Sequence, residues 1–209
     1  MLGFVKKDLF ILKNNIKSLL IAIVIYTIFI FSNDMDVSFI FPFMVFMIFI
    51  STFSYDDYNK WNAFALTLPK GRENIVKGKY VSVILLVFVA TLLGSLFSAL
   101  IFSLKNTLNL EQILSNSITY FITIFIIASI ICPLLFKYGS EKGRIALFVM
   151  IFGIFSMASI ARECTDIVIS GGMVSFFHQY GLILLLFLSI LMMIISYFIS
   201  KRIYLKKEF

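Results

Sequence analysis

The stretch SYDDYNKWNAFALTLPKGRENIVKGKY (Ser54–Tyr80) is the one long polar interruption in an otherwise apolar chain. It carries five of the eighteen lysines and arginines, the only tryptophan, Trp61, and one of the three prolines, Pro69. Long apolar runs on both sides have the length and composition of membrane spans. We therefore expect this stretch to be the part of the chain that meets a partner in water.

The composition supports lipid as the main solvent. Of the 209 residues, 61% are hydrophobic and 14% charged, and the mean hydropathy is +1.02. Soluble domains are roughly 45–50% apolar and about 25% charged. A soluble protein of this length could not bury the additional apolar residues in its core. The net charge of +7 fits basic residues that flank membrane spans, and no nucleic-acid-binding motif accompanies it.

The apolar runs predict the fold class. A transmembrane helix needs roughly 20 apolar residues, and none of the qualifying stretches contains an acidic residue. We therefore predict an all-α membrane protein, a single transmembrane domain over 1–209 with six transmembrane helices. The predicted spans are 16–31, 37–53, 80–104, 118–136, 145–161 and 180–200.

The first fifteen residues alternate between apolar and basic positions. Apolar residues recur three and four apart, as on one face of a helix, whereas Lys6 and Lys13 follow the opposite side and Lys7 lies nearby. This pattern predicts a separate interfacial amphipathic helix over 1–15, with Lys6, Lys7 and Lys13 at the lipid headgroups. The alternative is that these residues form the end of the first span.

The basic residues also predict the orientation. Lysines and arginines are concentrated in cytoplasmic loops, and with six spans only Lys105 and Arg162 of the eighteen fall on the other side. Both termini and the loop 54–79 are thus expected in the cytoplasm. The outer loop 162–179 could then form a re-entrant or interfacial helix broken at Gly171–Gly172.

Catalytic and ion-coupling motifs are missing from the sequence. Ion-driven transporters and intramembrane enzymes retain ionisable residues inside the membrane, whereas the predicted spans contain no acidic residue and one basic residue, Lys17, at the rim of the first span. The two cysteines have no metal-ligand spacing. A phosphate-binding loop requires Ser or Thr after Gly-Lys, but Tyr80 follows Gly78-Lys79. We therefore expect neither an enzyme nor a cofactor site in this chain.

The polar stretch itself is predicted to contain a short helix. Tyr58–Leu68 would carry Trp61 and Phe64 on one face, preceded by acidic residues that suit a helix N-terminus. Pro69 would break it, and helix would restart at Arg72 and run into the third span. The alternative is a connector that lies among the headgroups.

Three separated segments resemble small type-2 ABC exporter permeases. TLPKGRENIVKGKY (Thr67–Tyr80), with DDYNKWNAF (Asp56–Phe64) before it, is similar to the first cytoplasmic loop of that family. CPLLFKYGSEKGR (Cys132–Arg144) resembles its second cytoplasmic signature, and SKRIYLKKEF (Ser200–Phe209) its basic tail. Lys70–Gly71 departs from the usual hydrophobic-Ser pair.

The resemblance implies a half-transporter in the bacterial cytoplasmic membrane. Two such subunits, identical or paired with a sister permease, would be driven by separate ABC ATPase subunits that bind ATP and Mg²⁺. The short helix would be the coupling helix, with Trp61 and Phe64 as apolar anchors, and Arg72 and Lys79 would hold the loop against its neighbours or against lipid phosphate. The implied ATPase-coupling residues are Asp56, Asp57, Tyr58, Lys60, Trp61, Phe64, Leu68, Pro69 and Arg72.

The cargo is inferred from the same resemblance and from the apolar spans. The chain contains 25 Phe and 9 Met, which suits an amphipathic cargo better than an ion or a sugar. Related permeases export cytolytic peptides such as phenol-soluble modulins or protect against lantibiotic-type peptides. We therefore expect amphipathic peptide export, with export of a lipid or hydrophobic drug, or a non-transporting docking or sensor role, as the alternatives.

Overall fold

The fold is known from a computed structural model that describes residues 2–31, 38–67, 71–105, 109–164 and 171–207. Within these ranges the chain is almost entirely helical and contains no strand. The helices in chain order are α1 (Leu2–Phe31), α2 (Ile40–Tyr58), α3 (Trp61–Leu66), α4 (Gly71–Leu104), α5 (Leu110–Cys164) and α6 (Gly171–Lys206).

The N-terminal residues do not form a helix of their own. Residues 1–15 were predicted to be separate from the first span, but α1 runs without a break from Leu2 to Phe31. No proline or glycine lies inside it after Gly3 to end or kink the helix. The first half of α1 also packs on the bundle, because Val5 and Asp8 are buried. Lys6 and Lys13 are exposed, and their headgroup role remains a prediction.

The long helices make this a multi-pass membrane protein. Among the described residues, four helical segments are long and apolar enough to cross a membrane: Ile40–Tyr58, Gly71–Leu104, Leu110–Met150 and Gly181–Lys206. Six crossings would also require α1 and the second half of α5. Both are helical, and the count of six remains a prediction.

Helix α5 contains a sharp reversal at Gly139. This residue has φ 83° and ψ 179°, a conformation that is open essentially to glycine alone. A Cβ atom on Gly143 would lie 2.3 Å from Leu135 Cδ2. Residues eight apart in a straight helix are about 12 Å apart, so this contact shows that the chain folds back. The turn occurs in the predicted loop between the fourth and fifth spans.

The predicted outer loop 162–179 is largely helical. Helix α5 extends to Cys164 and α6 begins at Gly171, so the Gly171–Gly172 pair stands at the start of a helix. Residues 165–170 lie outside the described residues. A re-entrant path for this segment remains a prediction.

The core of the bundle is built on α2, α4 and α5, where Phe49, Val87 and Ile131 are completely or almost completely buried. Glycines on α4 let the backbones approach closely, as small residues do between membrane helices. A Cβ atom on Gly78 would lie 2.9 Å from Phe4 Cβ of α1, and one on Gly94 would lie 2.8 Å from the backbone oxygen of Ser38, just before α2.

The outward faces of the bundle are apolar. On α4 and α6, large side chains such as Phe88, Leu92, Phe187 and Phe198 are exposed. Soluble proteins rarely expose contiguous apolar patches of this extent. The faces are therefore suited to lipid or to another membrane subunit.

Candidate functional site

Four charged side chains meet at one end of the bundle, where α2 ends and α4 begins. They are Lys7 and Asp8 of α1, Asp56 of α2 and Lys79 of α4, and we call them the charge cluster. Asp8, Asp56 and Lys79 are only 1%, 5% and 3% exposed. The cluster therefore lies inside the protein.

Lys79 is at the centre of the charge cluster. Its Nζ is 3.0 Å from Asp8 Oδ1 and 2.8 Å from Asp56 Oδ2. It also donates a hydrogen bond of 2.7 Å to Thr52 Oγ1, and it lies 4.5 Å above the Phe53 ring. The Lys79 ammonium thus makes its ion pairs and its hydrogen bond with residues of α1 and α2.

Lys7 supplies the second positive charge. It pairs with Asp56 and lies 3.3 Å from Asp8 Oδ1, and Ser82 donates a 3.2 Å hydrogen bond to Asp8 Oδ2. Two lysines and two aspartates give a cluster without net charge. Buried charges destabilise a protein unless they are paired and hydrogen-bonded, and here each carboxylate contacts both lysines.

The short helix α3 is attached to this cluster through Trp61. Lys7 Nζ lies 5.0 Å from the centre of the Trp61 ring, a distance at which a cation is attracted to an aromatic face. Phe4 of α1 packs on the same ring edge to face at 6.3 Å. Trp61 therefore faces α1 and is partly buried, and it does not stand out as a free anchor.

The bounds of α3 differ from those predicted. Tyr58 ends α2, and Lys60 adopts a left-handed conformation with φ 50°, which separates the six-residue helix Trp61–Leu66 from α2. Asn59 Nδ2 donates a hydrogen bond to Tyr55 O at 2.9 Å and closes the end of α2. The predicted helix Tyr58–Leu68 is thus wrong at its start, and Leu68 and Pro69 lie outside the described residues.

Two aromatic side chains near α3 point outward. Tyr58 is 87% exposed and Phe64 is 56% exposed, and Phe64 packs against Trp61 with ring centres 5.3 Å apart. A groove of about 320 Å³ lies beside them, between Trp61 and Ile11 of α1. The site thus has an exposed aromatic surface next to the charge cluster.

The turn at Gly139 joins this end of the bundle through Asp57. Asp57 Oδ2 accepts a 3.3 Å hydrogen bond from the backbone N–H of Ser140, at the start of the second half of α5. Arg144 Nη2 donates to Ser54 Oγ at 3.0 Å. Asp57 and Lys60, the exposed charged residues of the predicted set, are accessible to a partner.

Polar contacts join the C-terminal helix α6 to α4. Arg72 Nη1 donates a 2.6 Å hydrogen bond to Leu205 O, and Lys201 pairs with Glu73 at 3.2 Å. Tyr80 Oη lies 2.6 Å from Ser196 Oγ. Arg72 therefore contacts a neighbouring helix, one of the two roles that the sequence suggested for it.

The structure corrects the placement of three predicted residues. Lys7 and Lys79 were assigned to the membrane interface and Asp56 to a charged contact with the partner. Asp56 and Lys79 are buried and paired with each other, and Lys7 is paired with Asp56 and Asp8. The sequence does contain a signal, since Asp8 follows Val5 by three positions and Lys79 follows Val76 by three. Each charge thus lies on the buried face of its helix, where a partner is required.

Comparison of the sequence with protein-family models gives one informative match. Residues 3–205 match the model described as ABC-2 family transporter protein. The match covers nearly the whole chain, including every residue of the charge cluster and of α3. No curated protein and no solved structure matches the chain in the corresponding comparisons.

Removal of the central lysine tests the charge cluster. We expect Lys79→Met to lower the free energy of unfolding by about 3–5 kcal/mol, because it leaves buried carboxylates with insufficient positive charge. Thermal unfolding of the protein in detergent, followed by Trp61 fluorescence, measures this loss.

Two control variants make the result specific. Lys13→Met removes an exposed lysine of α1 and should change the stability by less than about 0.5 kcal/mol. The double variant Asp8→Asn/Lys79→Met has a cluster without net charge again and should recover part of the lost free energy of unfolding. Equal stability of Lys79→Met and Lys13→Met would contradict a paired, buried cluster.

Proposed function

The chain belongs to the ABC-2 family transporter proteins, and we propose that it is the membrane-spanning half of an ABC exporter driven by a separate ATPase subunit. The observation that carries this proposal is the exposed aromatic surface formed by Tyr58, at the end of α2, and Phe64 of α3, which is attached to the charge cluster through Trp61. Family membership implies an ABC ATPase partner. The ATPase, and not this chain, would bind ATP and Mg²⁺.

The proposed docking surface is centred on α3. Aromatic side chains contribute much of the binding free energy at protein interfaces when they enter a pocket of the partner. Tyr58 and Phe64 would enter a groove of the ATPase, with Asp57 and Lys60 as charged contacts at its rim. Trp61 would support this docking surface from the side that faces the bundle, because its ring packs against Phe4 of α1.

The charge cluster provides the path for coupling. When ATP closes the two ATPase subunits, α3 would move with them. The displacement would reach α1 through Trp61 and Lys7, and it would reach the 34-residue α4 through Asp56 and Lys79. Because these contacts are buried and paired, α3 and the two long helices would move as one body.

The assembly would place two permease subunits, identical or sister chains, on two ATPase subunits in the bacterial cytoplasmic membrane. Both termini and α3 would face the cytoplasm, as the distribution of basic residues predicts. Lys6 and Lys13, which are exposed on α1, would lie near anionic lipid headgroups.

The proposed cargo is an amphipathic peptide of the cytolytic or antimicrobial type. The outward faces of α4 and α6 are apolar, so a cargo that partitions into the membrane could approach the bundle from the lipid. A lipid or a hydrophobic drug shares this property and is the alternative cargo.

Docking is tested by truncation of the two exposed aromatic residues. The double variant Tyr58→Ala/Phe64→Ala should weaken co-purification with the cognate ATPase at least tenfold, because it removes the proposed anchors. The matched control is Phe152→Ala, which truncates an exposed Phe far from α3. Undiminished ATPase binding by the double variant would contradict the assignment of α3 as the docking helix.

Transport is tested separately with the assembled complex in vesicles. A helical amphipathic peptide should stimulate ATP hydrolysis severalfold in the wild-type complex, and it should not do so in the Tyr58→Ala/Phe64→Ala complex. Stimulation by phospholipid or by a hydrophobic dye alone would favour the alternative cargo. A complex that forms but responds to none of these would contradict transport and favour a docking or sensor role.

A further inference from the structure

A second groove lies on the outer surface of the bundle, between α4 and α6. It has a volume of about 250 Å³ and is lined almost entirely by apolar atoms. Lys77, Val81 and Ile84 form its wall on α4, and Ile194 and Tyr197 form the wall on α6. We call it the α4–α6 groove. It is separate from α3, and it opens on the apolar outward face of the bundle.

Lys77 stands at the polar end of the α4–α6 groove. Its side chain is partly buried and lines the groove, as a lysine does when its methylene groups follow an apolar surface and its ammonium extends toward water. In the part of the chain that the structure describes, Lys77 makes no hydrogen bond or ion pair. The neighbouring carboxylate, Glu73, is paired with Lys201 at 3.2 Å.

The walls of the α4–α6 groove are held in place. Tyr80 lines it, and the Tyr80 hydroxyl lies 2.6 Å from Ser196 Oγ and 2.8 Å from Ser200 Oγ. The Tyr80 ring packs edge to face on the Tyr197 ring, with ring centres 5.5 Å apart. Because these contacts fix both helices, the groove exists before any ligand enters, as ligand sites usually do.

We propose that the α4–α6 groove binds one anionic phospholipid of the adjacent membrane leaflet. Its phosphate would pair with Lys77, and one acyl chain would follow Val81, Ile84 and Ile194 toward the middle of the membrane. Charge complementarity supports this occupant, because Lys77, which has no ion-pair partner among the described residues, stands at the polar mouth of an apolar groove on the outward face. A basic residue near a membrane surface favours anionic lipid by about fivefold.

The proposal is tested by counting retained lipids. The full-length chain is reconstituted in vesicles of equal parts phosphatidylglycerol and phosphatidylethanolamine, extracted in mild detergent, and weighed intact by native mass spectrometry. We expect one tightly retained lipid per chain, with phosphatidylglycerol favoured roughly fivefold. Lys77→Gln should abolish this preference, and Ile84→Trp should fill the groove and remove the retained lipid.

Matched controls separate this site from general lipid contact. Lys142→Gln removes an exposed lysine on the second half of α5, and Leu92→Trp enlarges an exposed side chain of α4 outside the groove. Both should retain phosphatidylglycerol as the wild type does, and Ile84→Trp should unfold at the same temperature as Leu92→Trp. Three results would overturn the proposal: an unchanged preference in Lys77→Gln, retained lipid in Ile84→Trp, or a chain dimer lost in Ile84→Trp without any bound lipid.

Discussion

The pairing of Lys79 with Asp8 and Asp56 is the constraint on which this end of the molecule depends. Asp8, Asp56 and Lys79 are buried in a largely apolar chain and Lys7 is partly buried, and the four side chains stabilise one another through ion pairs. Removal of one partner from such a group typically costs several kcal/mol. A shift of α1 or α4 by one helical turn, about 5.4 Å, would separate these charges. The cluster therefore fixes the register of α1, α2 and α4, which an apolar interface alone would specify only loosely.

This constraint gives the polar stretch a two-layer construction. The outer layer presents Tyr58 and Phe64 on or beside a helix of only six residues, which could not hold its shape alone. The inner layer holds that helix through Trp61, whose ring contacts both Phe4 and Lys7. The second half of the chain joins the same end through the bonds from Ser140 to Asp57 and from Arg72 to Leu205. In the proposed function, a force applied to α3 would be passed to the bundle through these contacts.

The sequence predicted the helical membrane class, the short helix around Trp61 and the restart of helix near Arg72, because these follow from local composition and from proline and glycine. It did not predict the burial of Lys79 and Asp56. A hydropathy pattern assigns charged residues to loops or to the membrane interface. The ion pairs here join residues that are far apart in the sequence, 71 residues for Lys79 and Asp8 and 49 for Lys7 and Asp56. The left-handed Lys60 was not predicted, and the continuous α1 matches the alternative in which residues 1–15 form the end of the first span.

The most direct test of the account is a distance measurement between α1 and α3 by electron spin resonance. Spin labels at Phe10 and Phe64, both exposed, are introduced into a chain whose cysteines have been replaced, with and without Lys79→Met. If the charge cluster fixes α3 on the bundle, the parent chain gives one narrow distance distribution and Lys79→Met gives a broad one. An equally narrow distribution at the same distance in both chains would contradict the account.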